Sequence, residues 1–230
     1  MYQTRHDRVA VPGEAGLLIR SLRDRQQYDD AGGEAARAGI GSAAWPLFGV
    51  LWPSGLQLAA HMATRAVTLG QRILEIGCGL ALPSLVCHRR GADVTASDRH
   101  PLAPGFLLEN LRLNRLPPLP YRNGDWNADP ACLVHDRHPA VRGRFDLIMG
   151  SDVLYERDDE GRLSGFIARH AMPAAEVVIV DPDRANRSAF TQRMAVQGFA
   201  MCSLPLSATG ADGVAYKGRL LRYTRAAMPA

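Results

Sequence analysis

The chain has 230 residues, enough for one sizeable domain, and its 47% hydrophobic and 22% charged content is that of a globular protein. No apolar run approaches the ~20 residues that span a bilayer, and the opening MYQTRHDRVAVPGEAG lacks a signal-type apolar segment, so a cytoplasmic location is expected. The formal charge of +4 is carried almost wholly by arginine, Lys217 being the one lysine, and its spread along the chain points to a solvated surface rather than to nucleic acid.

In chain order, residues 1–16 are polar with Gly and Pro, and predict an irregular arm. Residues 17–22 suit a short strand, and 23–40, charged and glycine-dotted, a loop or fraying helix. Residues 1–44 are thus read as an N-terminal arm and cap, ahead of a single globular domain over 45–230. Trp45 and Trp52 lie close together before a predicted helix at 55–65, with Ser54 as N-cap and Leu56, Ala59, Ala60 and Ala63 at helical spacing. From Gln71 strands and helices alternate: strands at 72–77, 92–97, 119–123, 144–150 and 175–181, helices at 80–90, 101–114, 158–171 and 186–197. The tail reads as two strands, 199–206 and 214–224, around a Gly/Asp turn at 209–213. The expected fold is α/β: a Rossmann-like, doubly wound, mostly parallel sheet, closed by an antiparallel C-terminal hairpin to make seven strands.

The chemistry centres on residues 72–81, RILEIGCGLA. Ile73, Leu74 and Ile76 form a buried-strand run interrupted by Glu75, and Gly77-Cys78-Gly79 ends it before an apolar helix with Pro83 in its first turn. Strand, glycine turn and helix in succession bind nucleotides, because glycines let a ligand approach the backbone. A dinucleotide fingerprint wants a third glycine where Leu82 stands, which weakens an NAD reading. Asp98, at the end of the second strand of this series, is spaced to accept hydrogen bonds from both ribose hydroxyls. At the third strand tip, Asp125 could accept from an exocyclic amine and Trp126 could cover an adenine, or the pair could be a turn with a half-buried indole. The fourth strand runs into Ser151, Asp152 and Tyr155. One helical turn would put the last two on one side; a helix N-cap followed by a packed tyrosine is the plainer alternative. Cys78, Cys87, Cys132 and Cys202 lack paired spacing, so neither a metal site nor a disulfide framework is expected. Cys87-His88 and the loop His135-Asp136-Arg137-His138 have no supporting partners in the sequence.

Together EIGCG at 75–79, Asp98, Asp125-Trp126 and the D-x-x-Y of Asp152 to Tyr155 resemble the class I S-adenosylmethionine methyltransferases. More narrowly they resemble the seven-β-strand lysine methyltransferase-like and nicotinamide N-methyltransferase-like group, whose Trp-containing segment before the first helix is matched by Leu51-Trp52-Pro53. Asp181-Pro182-Asp183-Arg184 is similar, in part, to a segment of the electron-transfer-flavoprotein lysine methyltransferases. The resemblance implies S-adenosyl-L-methionine as cofactor. It places Glu75, Gly77, Cys78, Gly79, Asp98, Asp125, Trp126 and Ser151 around that cofactor, with Trp52 closing over it. Asp152 would orient an incoming ammonium and Tyr155 supply a wall and a hydroxyl. The expected activity is N-methylation, of a lysine on a partner protein, with no membrane partner and nucleic acid disfavoured. A small-molecule N-methyltransferase of the nicotinamide type and a cofactor-binding module without turnover are the alternatives. Val153-Leu154 stand where adenine-methylating enzymes carry consecutive prolines and an aromatic, which argues against a nucleic-acid base as acceptor.

Overall fold

A computed structural model describes residues 1–126, 138–155, 157–209 and 215–227. Its centre is a seven-stranded sheet of β3 (Arg72–Ile76), β4 (Asp93–Asp98), β5 (Tyr121–Asn123), β6 (Phe145–Ser151), β7 (Ala171–Asp181), β8 (Ala200–Thr209) and β9 (Ala215–Arg225). The spatial order is β5-β4-β3-β6-β7-β9-β8. The first five of these are parallel, and β9 pairs antiparallel with both β7 and β8. The predicted architecture is therefore the observed one. The sheet order adds that the later tail strand, β9, is the inner one; it buries Leu220, Leu221 and Tyr223.

Both faces of the sheet are covered, as the near-continuous apolar strands require. Ile73, Leu147, Met149, Val178 and Val180 face one core, and Leu74, Ile76, Ile148, Val177 and Ile179 the other, by the two-residue alternation of strands. The first core is roofed by α2 (Pro53–Thr64), α3 (Leu82–Arg89) and α4 (Ala103–Leu113), the second by α5 (Arg162–His170) and α6 (Arg187–Val196). A one-turn helix, α1 (Glu34–Arg37), and a 3-10 turn, Trp45–Gly49, lead into α2. No helix among the described residues is long and apolar enough to cross a membrane.

Residues 1–16 are not an irregular arm. They form β1 (Thr4–Val11) and the start of β2 (Glu14–Leu22), an antiparallel hairpin turning at Pro12-Gly13, where Gly13 takes φ +84°. Thr4 to Arg8 are exposed, so the segment reads as polar; its strand character comes from pairing with apolar β2. Val9, Val11, Leu17, Ile19 and Leu22 point into the first core. The backbone of β2 is held from α4: Asn114 Oδ1 accepts from the Leu18 N–H at 2.8 Å and Asn110 Oδ1 from the Arg20 N–H at 2.7 Å. Two helix starts also moved. Pro53, suited to a first turn, opens α2, so Ser54 lies inside it, 3.1 Å from the Tyr216 hydroxyl, and is not the N-cap. Helix α5 starts only at Arg162, where the Asp158 carboxylate accepts the Arg162 and Leu163 N–H groups. Cys132, His135, Asp136, Arg137 and residues 210–213 of the tail turn lie outside the described residues.

Candidate functional site

A cavity of about 340 Å³ opens at the carboxyl ends of β3, β4 and β6, where ligands of such sheets lie. Of the expected residues, Trp52, Gly77, Cys78, Gly79, Asp98, Trp126, Ser151, Asp152 and Tyr155 line it. Its first wall is the turn after β3. Gly79 has φ +50°, and a Cβ on it would stand 2.7 Å from the Phe48 carbonyl oxygen, so this position needs glycine for both conformation and room. Asp98 holds the turn from the neighbouring strand: its Oδ2 accepts the Gly79 N–H and its Oδ1 the His100 N–H, each at 2.8 Å. Burial raises the Asp98 pKa and pushes the Cys78 thiol well above its ordinary range, which leaves that sulfur unreactive. Trp126 lies near Gly77, with its ring edge-on to Phe166 at 6.4 Å between centroids. Trp52 donates its indole N–H to the Leu47 carbonyl at 2.9 Å, and the Arg25 guanidinium stands 5.6 Å from its ring.

Glu75 and Asp125 do not line the cavity. Glu75 leaves β3 on the Ile73 face, beneath α3, and is 1% exposed; its carboxylate accepts the Ser84 N–H at 2.9 Å and the Ser84 hydroxyl. Burial pushes its pKa up to about 8 even against those bonds. Its place is a tie between strand and helix rather than a ligand contact. The Asp125 N–H donates to Asn123 Oδ1 at 3.0 Å and closes the turn behind Trp126.

The second wall comes from β6 and β7. Residues 152–155 are not helical. Asp152 takes the left-handed conformation, φ +57°, and donates its N–H to the Val180 carbonyl at 2.8 Å, carrying the β6–β7 ladder one residue beyond the strand. Asp152 and Tyr155 reach one cavity through this bend, not through a helical turn. Tyr155 is 41% exposed at the mouth. Arg184 lines the same wall and grips Asp152 Oδ1 with Nε at 2.8 Å and Nη2 at 2.6 Å.

Among the cavity residues left without a role in the sequence reading are Phe48, His100 and Arg184. The His100 ring stacks on Phe48 at 3.7 Å, and its Nδ1 accepts the Leu102 N–H at 3.2 Å. Burial lowers its pKa to about 3, so it is a neutral, Nε2-protonated ring. Arg184 carried a signal, the partial Asp-Pro-x-Arg resemblance, but nothing in the sequence named its partner. The arrangement as a whole offers a glycine cradle, a buried carboxylate with lone pairs to spare beside it, and aromatic covers from Phe48, Trp52 and Trp126. These are groups that fit an adenosine derivative.

No family model matches the chain. It is 33% identical over 116 residues to mouse protein N-lysine methyltransferase METTL21A, which covers 47% of this chain and 49% of the relative. It is 28% identical over 127 residues to histidine protein methyltransferase 1 homolog of Dictyostelium discoideum, covering 52% of this chain and 38% of the relative. The chain thus spans about half or less of the length of these curated relatives. Among solved structures, the ribosomal protein L11 methylase of Lactobacillus delbrueckii subsp. bulgaricus superposes with a TM-score of 0.56 at 19% identity, covering 77% of this chain and 81% of that one. The resemblance read from the sequence holds: the chain has the Rossmann-like fold of the class I S-adenosylmethionine-dependent methyltransferases and is similar in sequence to protein methyltransferases.

Proposed function

From that fold and those relatives, we propose that this protein transfers a methyl group from S-adenosyl-L-methionine to a protein side-chain nitrogen, that of lysine in the first place. The observation that carries the reading is one cavity that brings together a glycine cradle with Asp98 on one wall and Asp152 with Tyr155 on the other. Bound there, S-adenosylmethionine supplies a methyl group already activated by its sulfonium charge. The chain's own work is placement and exclusion of water. Gly77, Cys78 and Gly79 offer backbone, and Asp98 keeps lone pairs for two ribose hydroxyls after its bonds to Gly79 and His100. Phe48, Trp52 and Trp126 cover the cavity's apolar part, and Ser151 adds a hydroxyl to its lining. Asp152 orients the acceptor nitrogen, and Tyr155 walls the entrance.

In this reading residues 45–230 form the methyltransferase domain and residues 1–44 its cap, the partner is a protein presenting a lysine, and the setting is the cytoplasm. Cys78, Cys87 and Cys202 stand free, as a reducing compartment would leave them. The test is a thermal-shift comparison of S-adenosylhomocysteine with NAD, followed by tritium-methyl labelling of a lysate. Stabilisation by S-adenosylhomocysteine and label in protein are expected. Stabilisation by NAD alone would sink the reading, and label in small molecules only would move it to the nicotinamide type.

A further inference from the structure

Three aspartates and three arginines cluster near the ends of β6 and β7, where Asp152 and Arg184 line the cavity, and their pairing is selective. Asp183 takes Arg187 and, at 3.4 Å, Arg219. Asp181, fully buried at the end of β7, accepts the Arg184 backbone N–H at 2.6 Å. The Arg184 guanidinium is left to Asp152, gripping one oxygen with two donors. The Asp152 side chain is 12% exposed and that of Arg184 37%, and both line the cavity. An acceptor amine at this wall therefore meets a neutral pair, not a bare carboxylate.

The difference matters for nitrogen nucleophiles. A free lysine amine, with a pKa of about 10.4, is protonated at neutral pH, and a lone carboxylate beside it would hold it so. Only the neutral amine has a lone pair to give. We propose, resting on the methyl-transfer reading, that Arg184 is a positioning residue that compensates Asp152, letting that carboxylate orient the acceptor amine through Oδ2 without fixing it as ammonium. The acceptor's proton goes to solvent. Asp152 is not assigned as its base, because one of its oxygens is committed to two Arg184 donors. Among the described residues, the other titratable and charged groups around the pair are Asp181 and Asp183 after β7, Arg187 on α6, Tyr216 and Arg219 on β9, and Tyr155 beside Asp152. Asp98, Arg99 and His100 lie on the facing wall.

The test uses adenosine whose 5′ thioether ends in a short α-amino amide, with S-adenosylhomocysteine as control, titrated by calorimetry at about pH 6 and about pH 10, on either side of the ~8 at which such an amine passes from charged to neutral. The native protein is expected to bind the amine-tipped probe within about threefold at the two pH values. Arg184→Gln exposes Asp152, so the probe should bind about tenfold tighter at the lower pH, the ratio that corresponds to a one-unit rise in the bound amine's pKa. Arg184→Lys keeps the charge and should behave as the native protein, and Asp152→Asn with Arg184→Gln should restore the indifference. An Arg184→Gln protein that loses probe affinity equally at both pH values, or shows no pH preference, overturns the proposal while the methyl-transfer reading stands. Failure of S-adenosylhomocysteine itself to bind the native protein overturns both.

Discussion

The two walls of the cavity are built by opposite means. The β3–β4 wall is mostly backbone: a glycine turn whose N–H groups are fixed by Asp98 and Ser97, with its one carboxylate buried and already hydrogen-bonded. The β6–β7 wall is mostly side chains: Asp152, Tyr155 and Arg184, partly exposed and held by paired charge. A wall of backbone suits a ligand part that never changes, since it has few rotamers to lose and no charge to titrate. A wall of charged side chains suits a partner that must be selected and oriented, because small changes in charge there alter which form of a nitrogen is held.

The contrast can be broken most sharply at Asp152. In Asp152→Asn, methyl incorporation into lysate protein at saturating S-adenosylmethionine should fall by ~10²-fold, the scale of a misplaced reactant, while S-adenosylhomocysteine affinity stays within about threefold. A parallel loss of affinity would mean that the two walls are not separable. The converse change is Asp98→Ala. Removing an acceptor for two ribose hydroxyls, and for the Gly79 and His100 N–H groups, should weaken S-adenosylhomocysteine by about tenfold or more by calorimetry. Unchanged affinity would remove Asp98 from the cofactor wall.

The smallest effect on binding is expected at Glu75, which serves the first wall only from beneath. Its pKa of about 8 in the folded chain lies above the ordinary 4.5. Between those values the folded state keeps a proton that the unfolded chain has lost, so this group's contribution to stability falls as pH rises from about 4.5 to 8. Asp98 and Asp181, whose pKa values burial also raises, act in the same direction. Unfolding free energies from urea titrations at about pH 5 and pH 8 should therefore differ less in Glu75→Gln than in the native protein, by roughly 3 kcal/mol, with S-adenosylhomocysteine affinity nearly unchanged. An equal difference in both proteins would show that Glu75 ionises freely.

Much of the first wall was legible because it is contiguous. Strand, glycine turn and helix follow one another from Arg72 to Arg89, and Asp98 ends the next strand, so periodicity and spacing alone bring them together. The parallel core strands and the closing hairpin were legible for the same reason: buried strands need apolar runs, and turns need Gly and Asp. Glu75 misled because a carboxylate beside a glycine turn looks like a ligand contact until the two-residue alternation of β3 turns it under α3.

What the sequence by itself determined was the set of strands from Arg72 onward and the glycine turn after the first of them, since each depends on residues close together in the chain. Tertiary structure alone decided that polar residues 4–11 are a strand, because their partner supplies the apolar face, and that β9 lies inside β8. It also decided the charge of the β6–β7 wall. The i, i+4 spacing pairs Asp183 with Arg187, but no spacing says whether Arg184 or Arg219 meets Asp152. The left-handed bend at Asp152 and the end of β7 bring one particular guanidinium, 32 residues away, within 2.6 Å of one particular oxygen. Coulomb attraction has no sequence register; only the folded backbone sets which opposite charges come close enough to compensate each other.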